Sequence, residues 1–364
     1  MGISIPGNDF NFMSSSKILS VAIEAPQYSS STEEIIPYVK KWLNGNSDRY
    51  IKKAIKIFEM SNIQTRHSIM PIHEVFTPTS FEDKNDLFIR EMKILTSKAL
   101  IRALKKANIS PGELDAIITV SCTSFMIPSM DAYLINELQL RQDILRLPVT
   151  EMGCAGGTSS LIYAEQYLKA NPGNKLAIVS FESPTATFQH NDDSMTNIIS
   201  ASLFGDGVAA VILGESKELL PQIIDSTMFH IYDEEDLMGF KLTNSGLKMV
   251  LDPEVPNKIE SNFDLFLLPF LNRNDLKLEN LDHLLFHPGG KKIIQLIEGR
   301  FRQFGKSLGT TKKVLHDYGN MSSSTILYVL NAFLKKEIKP EENGLMLSFG
   351  PGFSAQLVLL RWNF

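Results

Sequence analysis

The chain has 364 residues, 43% of them hydrophobic, and a formal net charge of −5. That length supports two packed α/β halves around a large core, and the mild acidity argues against nucleic acid or another polyanion as partner. The only two cysteines are Cys122 and Cys154, and no apolar run reaches the roughly 18 residues of a membrane span, so a cytoplasmic protein with no membrane partner is expected.

In chain order, residues 1–16 read as an extended N-terminal segment with no basic-then-apolar signal pattern, and Lys17 to Ile23 as the first strand. Ser30 to Glu34 supplies an N-cap and first-turn acids for a helix carrying Tyr38 to Leu43. Apolar positions at helical spacing predict helices over 48–60 and 86–107. A strand then ends at Val120-Ser121-Cys122-Thr123-Ser124. Cys122 lacks a glycine-rich turn into a helix, so a wall or core role is expected of it. Phe125 to Asp131 follows as an apolar loop.

Cys154 stands in Gly153-Cys154-Ala155-Gly156-Gly157-Thr158, a turn of small residues that feeds the helical pattern Leu161 to Leu168. A thiol at a helix N-terminus meets unpaired N–H groups and the positive end of the dipole, which favour thiolate, and missing side chains leave room for an electrophile. A pKa below the roughly 8.5 of a free thiol is expected, lowered further by an imidazolium partner. His287 ends the apolar run Leu281 to Phe286 at His287-Pro288-Gly289-Gly290, a strand end of the kind on which α/β sites are built. Asn320 occupies a second small-residue turn, Gly319-Asn320-Met321-Ser322-Ser323, before the helical run Ile326 to Leu334.

These segments belong to an internal repeat. Leu114 to Val120 resembles Leu281 to His287, and the Cys154 turn and helix resemble those of Asn320, at spacings of 167 and 166 residues. Lys175 to Phe181 resembles Gly344 to Phe349, and Gly207 to Leu213 resembles Ser354 to Leu360. A duplicated α/β unit with halves 17–215 and 216–364 follows. A pseudo-twofold axis would bring the two helix N-termini together, with His287 nearby.

The runs Gly153-Cys154-Ala155-Gly156-Gly157, Leu203-Phe204-Gly205-Asp206-Gly207, His287-Pro288-Gly289-Gly290, Gly319-Asn320-Met321-Ser322-Ser323 and Phe349-Gly350-Pro351-Gly352 resemble, in order and spacing, the type III polyketide synthases, chalcone-synthase-like members of the thiolase fold. The resemblance runs from about Ser16 to the C-terminus. It implies an α/β thiolase fold with duplicated halves in a layered α-β-α-β-α arrangement, and a homodimer. It implies a Cys154, His287 and Asn320 triad that condenses an acyl-CoA starter with malonyl-CoA, iteratively and with ring closure, without a metal or other cofactor. It makes Phe204 a gatekeeper between a coenzyme A tunnel and a cavity, shaped by Phe349, Gly350 and Pro351. By the same resemblance, Thr187, Ser200, Cys122 and a buried Glu182 belong to the cavity, and Ile127 lines the partner subunit's site.

The departures bear on specificity. Met249 stands where the family often has a second gatekeeping Phe, and its flexible thioether would admit a different or longer starter. Ser348 replaces the first Gly of the cavity loop, and Glu59 falls on a basic position near the coenzyme A mouth, with Lys56 retained. Lys52, Lys53, Lys56, Arg66, Lys291 and Lys292 are the candidates for coenzyme A phosphates. A single-round ketoacyl synthase or acyltransferase using a carrier protein, and a silent thiolase-fold binding subunit, are the alternatives. The plant-like motif runs argue against the first and the intact triad against the second.

Overall fold

The computed structural model describes residues 16–364, so residues 1–15 of the expected N-terminal extension lie outside the described residues. The chain starts on β1 (Lys17–Glu24) and β2 (Tyr28–Ser31), followed by α1 (Thr32–Trp42), α2 (Asp48–Met60), β3 (Thr65–Ser68), a short α3 (Ile72–Val75) and the long α4 (Phe81–Ala107). The first repeat runs through β4 (Ala116–Val120), α5 (Met130–Leu138), β5 (Leu145–Val149), α6 (Gly156–Ala170), β6 (Leu176–Glu182), α7 (Met195–Leu203) and β7 (Gly207–Gly214). The second begins with β8 (Leu220–His230), the hairpin β9 (Met238–Thr243) and β10 (Gly246–Leu251), and α8 (Val255–Asn272). It closes with β11 (His283–Phe286), α9 (Lys291–Phe301), α10 (Gly309–Tyr318), α11 (Ser323–Phe333), β12 (Asn343–Gly350) and β13 (Ser354–Asn363).

Local chemistry sets the ends. Ser31 and Glu34 form a reciprocal capping box at α1, with Glu34 N–H donating to Ser31 Oγ at 3.2 Å and Ser31 N–H to Glu34 Oε2 at 2.7 Å. The long helix begins at Phe81, ahead of the expected 86, because Ser80 Oγ caps the Asp83 N–H at 3.0 Å.

Strand order is β11-β12-β13-β8-β1-β7-β6-β4-β5. Read outward from the centre, β8 matches β1, β13 matches β7, β12 matches β6 and β11 matches β4, as the internal repeat requires. Within the sheet, β1 of the first half pairs with β8 of the second at Lys17 and Gln222. Residues along β7 alternate between two cores: Val208, Ala210 and Ile212 face α4, whereas Ala209, Val211 and Leu213 face the α6 and α11 layer. In β12, Leu345, Leu347 and Phe349 pack toward α8 and α9, and Met346 toward the central helices. Two sheet halves thus alternate with three helical layers.

The central layer needs close approach. At Gly157 an added Cβ would lie 2.2 Å from Ser323 O and 2.7 Å from Ile326 Cγ2, so only glycine lets α6 meet α11 here. Matching hydrogen bonds cross this seam: Ser180 Oγ to Ser324 Oγ at 2.8 Å, and Ser348 Oγ to Thr158 Oγ1 at 2.6 Å. Each half's central strand holds the other half's helix.

Candidate active site

The fold brings the N-terminal ends of α6 and α11 and the C-terminal end of β11 to one cavity of about 670 Å³, lined by Cys154, His287 and Asn320 among others. Cys154 sits in a tight turn, Gly153–Ala155, running into α6. Gly153 has φ +51°, and a Cβ there would meet Pro351 Cδ at 2.6 Å, so the Phe349 to Gly352 loop is packed directly on the cysteine's turn. Gly350 is equally tight, with an added Cβ 2.5 Å from that of Ala155.

His287 continues the β11 register, its N–H donating to Leu347 O at 2.8 Å. The ring is buried and neither nitrogen has a partner among the described residues. Burial alone pulls it down to about 3, so the imidazole is neutral.

Asn320 is held at both ends. Its N–H donates to Leu203 O at 2.8 Å and its carbonyl accepts Gly205 N–H at 3.0 Å. Oδ1 accepts from Ser322 N–H at 2.9 Å and Thr325 Oγ1 at 3.2 Å. The amide nitrogen is therefore the end left for the cavity.

The thiol departs from the sequence expectation. Burial pushes Cys154 up to about 11, opposed by hydrogen bonds from Ser322 and Asn320. No hydrogen bond joins the His287 ring to the Cys154 sulfur among the described residues, and burial disfavours the charged form of each.

Glu182 is fully buried beneath the cavity floor. It accepts Cys122 N–H at 3.1 Å and Thr123 Oγ1 at 2.8 Å, and bonds Ser323 Oγ, with its pKa pushed up by burial. Cys122 lines the cavity. Its sulfur is 3.5 Å from Glu182 Oε1 and 3.4 Å from Ser322 Oγ, and burial followed by the Glu182 charge pushes the thiol well up.

Phe204 and Met249, with Pro184, border both this cavity and a smaller one of about 50 Å³ that holds Thr187 and Ser200. Phe349 and Pro351 line the main cavity. Ile127 does not face this chain's cavity and stands 96% exposed. Lys52 and Lys56 are exposed on α2 and line neither cavity. Lys291 opens α9 between the cavity residues Gly289 and Ile293.

Arg66 is a correction. It is buried, with its guanidinium donating to Ser202 O, to Thr32 Oγ1 at 2.9 Å and to Ser61 Oγ at 3.2 Å, so its donors are engaged inside the fold as a structural tie.

Sequence reasoning also missed the β9–β10 hairpin. Its cross-strand pairs Met238 with Leu251, Phe240 with Met249 and Leu242 with Leu247 form an apolar face, and all six residues line the main cavity. The alternation in Met238-Gly239-Phe240-Lys241-Leu242 was the available signal. Among the described residues no group of three or more His, Cys, Asp or Glu is placed to hold a metal ion, and no helix is long and apolar enough to cross a membrane.

The family models for chalcone and stilbene synthases match the chain over residues 16–217 for the N-terminal domain and 222–362 for the C-terminal domain. A putative chalcone synthase of Bacillus subtilis is 33% identical over 360 residues, 95% of this chain and 98% of that protein. A 1,3,6,8-tetrahydroxynaphthalene synthase of Streptomyces peucetius is 30% identical, over 88% of this chain and 86% of its own. The crystal structure of the 1,3,6,8-tetrahydroxynaphthalene synthase of Streptomyces coelicolor superposes with a TM-score of 0.90 at 26% identity, covering 96% of this chain and 99% of that one.

Proposed function

The chain belongs to the chalcone and stilbene synthase family, whose relatives here are type III polyketide synthases, and from that premise we propose that Cys154, His287 and Asn320 carry out its acyl-transfer chemistry. The chain is an acyltransferase that condenses an acyl-CoA starter with malonyl-CoA by decarboxylative Claisen condensation. One observation carries the assignment of residues: three segments far apart in sequence place a thiol, an imidazole and an amide on one cavity at a strand end and two helix N-termini.

The steps balance with these groups alone. The Cys154 sulfur attacks the starter thioester, its proton passes through His287 to the departing coenzyme A sulfur, and the acyl group is held on Cys154. Malonyl-CoA then loses carbon dioxide, the electrons of the broken C–C bond forming an enolate. That oxygen needs donors, and a neutral His287 N–H and the Asn320 amide supply two, each worth about 3 kcal/mol in the transition state. The enolate carbon attacks the Cys154 thioester and releases the thiolate, leaving a chain two carbons longer on coenzyme A. Because His287 is neutral in its buried position, it can donate without first being charged.

Half-buried Lys291 at the start of α9, and exposed Lys52 and Lys56 on α2, are the proposed contacts for coenzyme A phosphates. The halves divide at 17–215 and 216–364. A homodimer is supported by β5, an edge strand with Leu145 and Leu147 exposed, and by the protruding Ile127, which would reach a partner's cavity. A cytoplasmic location is the setting for free coenzyme A substrates. Incubation of the purified protein with malonyl-CoA and a panel of acyl-CoA starters, read by mass spectrometry, tests the function: β-ketoacyl-derived products are expected, and their absence with every starter overturns it.

A further inference from the structure

Asp206 lies two residues beyond Phe204 and is fully buried. Its carboxylate accepts four hydrogen bonds, all from neutral donors: Ile69 N–H at 2.9 Å, Ser183 Oγ at 2.8 Å, Thr185 N–H at 3.0 Å and Thr185 Oγ1 at 2.5 Å. Its own N–H donates to His67 O at 2.8 Å. One side chain thus ties the segment after β3 and the turn after β6 to the strand entry that carries Phe204. Pro184, between two of the donors, walls both cavities, and Phe204 is locked to Asn320 by the backbone bridge on its other side.

We propose that Asp206 is a positioning residue for chain length, holding Pro184 and Phe204 so that the wall between the two cavities stays closed while the chain is extended. This rests on the synthase reading above. Releasing the wall joins the space around Thr187 and Ser200 to the main cavity, and the chain then accepts more malonyl units before it leaves. A buried charge satisfied only by hydrogen bonds makes the clamp depend on ionisation, because a protonated carboxyl loses acceptor strength toward all four donors.

The neighbouring charged and titratable groups leave Asp206 to its donors. Arg66 turns its guanidinium to Ser202, Thr32 and Ser61, and the His67 ring bonds Pro26 O at 3.0 Å against Tyr318. Glu182 faces Cys122 and Ser323, and the Tyr328 hydroxyl near Gly207 donates to Glu24 O. Burial, opposed by the donors, pushes Asp206 up to about 6.

The test uses hexanoyl-CoA and malonyl-CoA with the full-length wild type, Asp206→Asn, Asp206→Glu and the double variant Ser183→Ala/Thr185→Val. Products are sorted by number of malonyl units between pH 5 and 8, and Cys154 acylation is followed separately by intact-protein mass spectrometry. The wild-type product ratio is expected to move toward longer chains as pH falls through about 6. Asp206→Asn should give the longer products at every pH, shifting the ratio by about 5- to 30-fold, while Asp206→Glu restores most of the wild-type ratio and acylation is unchanged throughout. If Asp206→Asn does not fold, the double variant decides by the same ratio. A wild-type ratio at every pH in the folded variants overturns the proposal. Failure of wild-type Cys154 to acylate with any acyl-CoA of the starter panel would instead overturn the synthase reading.

Discussion

The N-terminal ends of α6 and α11 are the same place in a duplicated fold, 166 residues apart, and they carry different chemistry. At the first stands Cys154, after Gly153 with φ +51°; at the second stands Asn320, after Gly319 with φ +75°. The matching strand ends diverge as well: β4 finishes on buried Val120, whereas β11 runs into His287. One half ends β6 on the carboxylate of Glu182, and the other ends β12 on Gly350, which must be small to pack on Ala155. The lesson is that duplication supplies one pocket with two helix ends, and side-chain divergence then splits the work, with the proposed nucleophile on the first half and the proposed oxyanion donors on the second.

Breaking the second half's share should have the largest effect. Asn320→Ala is expected to lower malonyl decarboxylation by about 10²- to 10³-fold while Cys154 still acylates, the usual loss for one oxyanion donor. Carbon dioxide release at saturating malonyl-CoA measures it. An unchanged rate would remove the α11 end from the chemistry.

Breaking the seam that joins the two ends comes next. Gly157→Ala drives a Cβ into Ser323 O and Ile326, and should destabilise the protein by about 1–3 kcal/mol, read as a lower urea midpoint. Gly299→Ala, where nothing lies within 4 Å, is the control expected to leave the midpoint unchanged or higher. Equal midpoints in the two variants would show that the helices do not depend on this approach.

The smallest effect sharpens the contrast in electrostatics. The Glu182 charge opposes the Cys154 thiolate, and the Ser322 hydrogen bond favours it. Removing a negative neighbour lowers a thiol pKa, and removing a donor to the thiolate raises it. The pH profile of iodoacetamide inactivation should therefore move to lower pH in Glu182→Gln and to higher pH in Ser322→Ala, with peptide mapping to confirm Cys154 as the labelled residue. Shifts in the same direction would contradict this arrangement.

Much of that contrast was legible beforehand because it is local. Small residues before an apolar helical run mark Cys154 and Asn320, and His-Pro-Gly-Gly closing an apolar strand marks His287. The repeat then predicts their convergence. What depends on distant packing was not legible. Arg66 sits in the polar run Gln64-Thr65-Arg66-His67-Ser68 and reads as exposed, yet Ser202 O, far along the chain, accepts its guanidinium in the interior. The helix dipole at Cys154 is visible in sequence, but the burial that pushes its thiol up comes from the packing around the cavity. The β9–β10 hairpin escaped because Lys241 and Lys248, paired across its strands, break up the apolar run.

The central claim is that the α6 end holds the nucleophile, and intact-protein mass spectrometry after exposure to hexanoyl-CoA tests it most directly. Wild type is expected to gain one acyl mass, and Cys154→Ala to gain none while keeping the wild-type thermal melt. An acyl mass on the Ala variant would contradict the account and move the nucleophile to Cys122.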